Sequence, residues 1–234
     1  MPFLTYISDE SLLKCFKNLL DATYKGELKA KDNFERNIID PFSTLLEMAI
    51  FDCDKSSWVR SETKRQAQKS LTNAIGTFHQ QVLGSVDGWV NLRTTNQVDL
   101  INADRNILAE VKNKHNTLKA SDKAALYNKL HDMISKKNSV FKDYTAYYVE
   151  IVPDSSKVYD KIFTPSDSSI GSKCPPNEKI RYIDGRSFYS LATGDSEALD
   201  KLFSALPKLI KAQGLKINNK DFDFAQDFFI KAYK

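Results

Sequence analysis

Apolar residues at Leu12, Leu13, Phe16, Leu19 and Leu20 recur at steps of three and four, the period of an amphipathic helix. A break at residues 37–42, where Pro41 follows Asp40, leads into a second apolar helix expected to run to about Phe51. A longer amphipathic helix is predicted over 61–83. Its polar face carries Glu62, Gln66, Lys69, Asn73 and Gln80, and its apolar face Leu71, Ile75, Phe78 and Val82. After a turn bracketed by Gly84 and Gly88 the pattern becomes strand-like, at 89–92, 97–101 and 107–114, with the turn-forming run 102–106 between the last two. A Lys-rich helix over 121–135, capped by Ser121, and a buried strand over 144–152 follow. Residues 164–177, with three Pro, four Ser and one Gly, read as an exposed loop. A short strand at 179–183 and helices at 196–212 and 222–232 complete a mixed α/β order.

Composition modifies this picture little. At 234 residues, 41% hydrophobic and 27% charged, the chain can bury one sizeable core. A single domain over 1–234 is expected, with a helical part about 1–84, an α/β core about 85–195 and C-terminal helices about 196–234. The net charge is only +4, yet eight Lys against two Asp lie between Val111 and Lys142. That surplus is either the footprint of a phosphate-binding face or a solvated helix face. Cys15, Cys53 and Cys174 are odd in number and far apart, and His79, His115 and His131 lack metal-ligand spacing, so neither a disulfide framework nor a zinc site is indicated. Acidic residues at Asp9 and Glu10 precede any long apolar run, no stretch reaches the length of a membrane span, and no phosphate-cradling glycine motif occurs. A cytoplasmic protein with no membrane partner and no nucleotide cofactor is expected.

Candidate chemistry lies in the strand pair. Glu-x-Lys occurs three times, at Glu27, Glu62 and Glu110, but only Glu110-Val111-Lys112 falls on a strand whose neighbour carries an acid, Asp99. Glu110 and Lys112 share one face of the strand. A turn centred between Asp104 and Arg105 sets Asp99 directly opposite Glu110, with Cβ atoms about 5 Å apart. Two carboxylates so placed repel unless neutralised, and Mg²⁺ takes one or two carboxylates plus water and phosphate. With Lys112 to orient or deprotonate water, the set suits metal-assisted phosphodiester hydrolysis. The competing interpretation is a solvent-facing hairpin whose acid clash Lys112 relieves. Asp is depleted in strands, and Asp99 stands between Val98 and Leu100, which argues for a specific role.

The Asp…Glu-x-Lys hairpin resembles the PD-(D/E)xK nuclease core, with Val98 in the place of the motif's Pro. Four blocks resemble the type II restriction endonucleases typified by SinI and its GGNCC-cutting relatives: 37–42, 65–89, 109–117 and 183–194. The resemblance implies a restriction-endonuclease-like fold with N- and C-terminal helical elaborations. It also implies cleavage of double-stranded DNA at GGNCC or GGWCC sites, dependence on Mg²⁺ with Mn²⁺ able to substitute, and action as a homodimer. It places the catalytic residues at Asp99, Glu110 and Lys112. Glu62 is a further candidate metal ligand, or else a salt-bridging surface acid. Gln80 either meets the scissile phosphate or caps a carbonyl. Asn113, Lys114, His115, Asn116, Thr117 and Lys119 are candidate DNA contacts, as are Lys123, Lys129, Lys136 and Lys137 to the backbone and Arg186 to bases. The alternatives are another PD-(D/E)xK nuclease, of repair or structure-specific type, and a catalytically inactive sequence-specific DNA-binding protein.

Overall fold

A computed structural model describes residues 2–32, 34–36, 38–92 and 98–233. The chain divides into two compact units, Phe16–Phe78 and the remainder, Met1–Cys15 with His79–Lys234. Expected positions Asn37 and Gln97 lie outside the described residues. Among the described residues the architecture is α/β, with seven α-helices and a mixed six-stranded sheet. None of these helices is long and apolar enough to cross a membrane.

The unit Phe16–Phe78 is helical. It comprises most of α1 (Asp9–Asp32), α2 (Pro41–Ile50) and most of α3 (Lys55–Leu83). Asp40 caps α2 by accepting from the Phe42 N–H, and Pro41 takes the first turn, where its missing N–H costs nothing. Helix α3 begins six residues before its predicted start because Asp54 accepts from the Ser57 N–H at 2.7 Å, a cap the apolar periodicity does not show. Buried residues of α3 at steps of four are Trp58, Glu62, Ala74, Phe78 and Val82, with Leu83 buried beside them at its end. Glu62, expected on the polar face, therefore belongs to the buried stripe, and Leu71 is exposed instead.

The other unit holds the sheet. Its order is β1 (Val90–Asn91), β2 (Leu100–Asn102), β3 (Ile107–Lys114), β4 (Thr145–Val152), β8 (Ile180–Asp184) and β5 (Asp160–Ile162). β1, β2 and β3 form an antiparallel meander, β3, β4 and β8 run parallel, and β5 closes the edge antiparallel. A parallel pair requires a crossover, supplied between β3 and β4 by α4 (Ala120–Ser135). α4 begins one residue early with Lys119 as cap. Ser121, predicted to cap it, lies inside the helix and donates to Asp122.

Alternate residues of the central strands feed two cores. Leu108, Ala146, Tyr148 and Ile180 pack with Tyr127 and Leu130 of α4. On the other face Tyr147 meets Phe188 of α5 (Gly185–Thr193), 5.9 Å between rings. Each such fully buried large side chain contributes about 1.5–3 kcal/mol of burial free energy. α5, absent from the sequence expectation, starts straight off β8. Asp184 caps it by accepting from Ser187, and a Cβ at position 185 would stand 2.6 Å from the Ile151 Cα, so only Gly fits the junction. α6 (Ala198–Ala212) and α7 (Asn219–Tyr233) follow, the Tyr233 hydroxyl donating to the Ile151 carbonyl. The expected loop at 164–177 contains a small hairpin, β6 (Ser166–Asp167) with β7 (Ser172–Lys173).

Candidate active site

The meander sets the geometry. Leu100 pairs with Ala109, Ile101 with Leu108 and Asn102 with Ile107, the register that a turn centred between Asp104 and Arg105 produces. The Asn102 side chain accepts from the Arg105 N–H, and Asn106 takes the left-handed conformation (φ 51°) that Asn tolerates. Asp99 lies one residue before β2, outside the paired register, and within electrostatic reach of Glu110. Its N–H donates to the Ala109 carbonyl at 3.1 Å, and its Oδ2 accepts from the Val111 N–H at 2.8 Å. The acid is thereby fixed to the strand that carries Glu110 and Lys112.

Burial, and then the charge of Glu110, push the Asp99 carboxyl up to about 6, although the Val111 N–H, Lys112 and Lys129 all favour its ionised form. Glu110 is largely buried and holds one amine on each oxygen: Lys112 Nζ at 2.6 Å from Oε1 and Lys129 Nζ, from α4, at 3.6 Å from Oε2. Gln80, near the end of α3, donates to the Val111 carbonyl at 3.4 Å, so of its two expected roles it has the carbonyl. Among the described residues no group of three or more acidic, His or Cys side chains forms a metal cage. Two adjacent carboxylates, one held against ionisation, still suit a hard divalent cation that keeps water and phosphate oxygens in its remaining positions.

A second acid lies one strand away. Glu150 on β4 is the register partner of Lys112 and is fully buried. Tyr148 donates to its Oε1 at 2.6 Å and Lys123 at 2.8 Å, while Tyr159 and Tyr182 donate to Oε2. Burial, reinforced by the hydrogen bond to Glu150, raises the Tyr148 and Tyr182 hydroxyls above the ordinary phenol range. Lys123, expected on the DNA backbone, is instead the counter-charge of this carboxylate. The signal was available: like Asp99, Glu150 is an acid between two apolar neighbours, Val149 and Ile151.

The remaining candidates scatter. Asn113 and Lys114 end β3, and His115, Asn116 and Thr117 turn away from it, with the Lys114 N–H on Thr117 Oγ1 and the His115 N–H on the Val152 carbonyl. Lys114, Asn116, Thr117 and Lys119 are exposed. The Nδ1 atom of His115 is buried without a partner among the described residues. Lys136 pairs with Asp132. Arg186, expected to read bases, is committed inside the protein: Nε and Nη2 grip Asp200 and Nη1 donates to the Tyr233 carbonyl, tying α5 to α6 and α7. Glu62 accepts from Arg65 at 2.6 Å on each oxygen and from Gln66 at 2.9 Å. Those bonds, the Arg65 one foremost, lower its pKa. Its salt-bridging alternative is the arrangement observed.

Comparison with known proteins decides what this strand pair belongs to. The Eco47II restriction endonuclease family model matches residues 4–213. The sequence is 44% identical over 229 residues to the type II restriction enzyme Eco47II of Escherichia coli, covering 94% of this chain and 95% of that one. The chain belongs to the Eco47II restriction endonuclease family. A second family relative, the type II restriction enzyme Sau96I of Staphylococcus aureus, is 30% identical over 210 residues, 88% of this chain and 78% of its own. As a member of the Eco47II family the chain is a type II restriction endonuclease with a restriction-endonuclease-like fold, as the four sequence blocks imply. Such enzymes act on double-stranded DNA and generally use divalent metal ions.

Proposed function

We propose that the chain cuts both strands of duplex DNA at a short palindromic site of the GGNCC or GGWCC type, acting as a homodimer with Mg²⁺ held by Asp99 and Glu110. Mn²⁺ is expected to replace Mg²⁺. The observation that carries the catalytic assignment is the gathering of two carboxylates at β3, Asp99 bonded through Oδ2 to the Val111 N–H and Glu110 holding the Lys112 amine, each within electrostatic reach of the other. The site preference rests on the sequence blocks shared with enzymes that cut GGNCC and GGWCC. The dimer rests on symmetry, since a two-fold site is matched by a two-fold protein.

When bound, the divalent cation supplies positive charge that polarises the scissile phosphate and offsets the charge developing on it. Asp99, tied to β3 through its carboxylate, and Glu110 on β3 would hold it, and its charge would offset the mutual repulsion of the ionised pair. Lys112, on the same strand face as Glu110, orients the attacking water toward phosphorus and donates to a phosphate oxygen. Lys129 adds a second positive charge from the opposite side of Glu110. Lys114 and Lys119 meet the DNA backbone as point charges, Asn116 carries the amide that reads a base edge, and Asn113, His115 and Thr117 shape the turn that presents them.

Digestion of a plasmid of known sequence in Mg²⁺, with end-sequencing of the products, tests the proposal. Discrete fragments whose ends all map to GGNCC or GGWCC are expected. Fragments mapping to an unrelated motif, or cleavage undiminished without divalent metal, would overturn it.

A further inference from the structure

Helix α2 faces the wrong way for a monomer. An amphipathic helix ordinarily turns its apolar stripe toward the core and its polar side toward water. In α2, Phe42, Leu45, Leu46 and Ile50 fall on one stripe and are 57–77% exposed, while the flanking Phe51 is 73% exposed. No residue of the helix is buried. Its polar members Ser43, Thr44 and Glu47 instead line a cavity of about 780 Å³ within the helical unit. There Ser43 donates to Glu47 Oε1 at 2.8 Å and Trp58 Nε1 to Oε2 at 3.0 Å. The polar side is satisfied within the helical unit, and most of the apolar side stays exposed.

We infer that the outward face of α2 is the surface on which two copies of this chain associate. Five large apolar side chains at these exposures offer several hundred Å². That is at or beyond the roughly 300–600 Å² patch of a typical monomer, and it approaches the about 800 Å² that each partner buries in a standard interface. The helix carries no Lys or Arg, so neither DNA phosphates nor an anionic membrane surface finds a counter-charge on it. An uncharged apolar stripe matches itself, as a two-fold contact demands. The inference rests on the proposed homodimer and locates its interface.

The test is sedimentation velocity of the full chain over a concentration series, with hydrogen exchange of residues 41–50 followed across the same series. The wild-type chain is expected to sediment as a dimer, with exchange in 41–50 slowing as concentration rises. The double variant Leu45→Glu/Ile50→Glu is expected to weaken the dimer roughly a hundredfold with unchanged circular dichroism. Phe228→Glu, on the exposed side of α7, is expected to leave the dimer intact. A double variant that dimerises like wild type, an equal loss in Phe228→Glu, or α2 exchange indifferent to dimerisation would overturn the location and leave the homodimer standing. Unfolding of the double variant would place the apolar face under cover within the monomer and overturn the inference. A wild-type chain monomeric both free and on DNA would overturn the homodimer itself, and α2 as its interface with it.

Discussion

The Lys129 amine, carried by α4, stands 3.6 Å from the Glu110 carboxylate on β3. Its sequence position, in a Lys-rich helix, suggested a contact to the DNA backbone, but the crossover connection folds that helix back over the strand pair. The two roles predict different measurements. A backbone lysine acts mainly through affinity, and removing it lowers the slope of log K against log salt by about one. A lysine acting at the reacting phosphate lowers kcat. Lys129→Ala is expected to reduce kcat about ten- to a hundredfold with little change in KM or salt slope, and Lys129→Arg to recover much of the loss. A salt slope reduced by one with kcat intact would return Lys129 to the backbone.

Asp99→Ala, Glu110→Ala and Lys112→Ala are each expected to lower cleavage roughly a thousandfold or more. Circular dichroism and melting should show the fold retained, because the sheet is held by Leu108, Tyr148 and Ile180 rather than by these polar groups. Sequence-selective DNA binding should survive at least in Lys112→Ala. Full activity in any one variant would remove that residue from the site.

The pH dependence follows from the direction of the Asp99 shift. Its carboxyl is raised from 3.8 to about 6 in the folded chain, so the folded state binds this proton more tightly than the unfolded state. The stability linked to the group is therefore complete below about pH 4 and is lost as pH rises through about 6. Asp99→Asn keeps an acceptor for the Val111 N–H and removes the charge. It is expected to raise the melting temperature of the metal-free chain by a few degrees at pH 8 and to give no gain at pH 4. Metal binding runs oppositely, since ligation needs the ionised form: calorimetric affinity for Mg²⁺ is expected to weaken up to about tenfold per unit below pH 6. A melting temperature for Asp99→Asn at or below wild type at pH 8 would contradict the repulsion.

The register of the β2–β3 hairpin, which brings Asp99 near Glu110, was legible in the sequence because it is local. The turn run 102–106 fixes the centre, and alternation does the rest. Glu150 carried the same mark, an acid within an apolar strand, yet its meaning depends on Lys123, Tyr159 and Tyr182, which the parallel sheet brings from elsewhere in the chain. Arg186 likewise has partners 14 and 47 residues away, and no periodicity shows that an arginine is already engaged. Glu62 sits at a spacing that fits either side of α3. The bonds from Arg65 and Gln66 make its buried place tolerable. For α2 the pattern showed that a helix forms but not which way its stripe turns, because that depends on the polar cavity that claims Ser43, Thr44 and Glu47.

The Glu150 cluster makes the sharpest prediction about stability. The carboxylate is fully buried, and the Lys123 ammonium, 24% exposed, pairs with it at 2.8 Å. Lys123→Ala would strand a buried charge facing the phenols of Tyr148, Tyr159 and Tyr182, at a cost of about 3–5 kcal/mol. Glu150→Gln removes that charge and keeps an acceptor for the tyrosines. It should cost less alone, and adding it to Lys123→Ala should recover part of the loss, a coupling that two independent surface changes would lack. Urea unfolding of the four chains measures the cycle directly. Additive losses from the two substitutions would mean that Lys123 does not neutralise Glu150. Lys123 would then be available to the DNA phosphates after all.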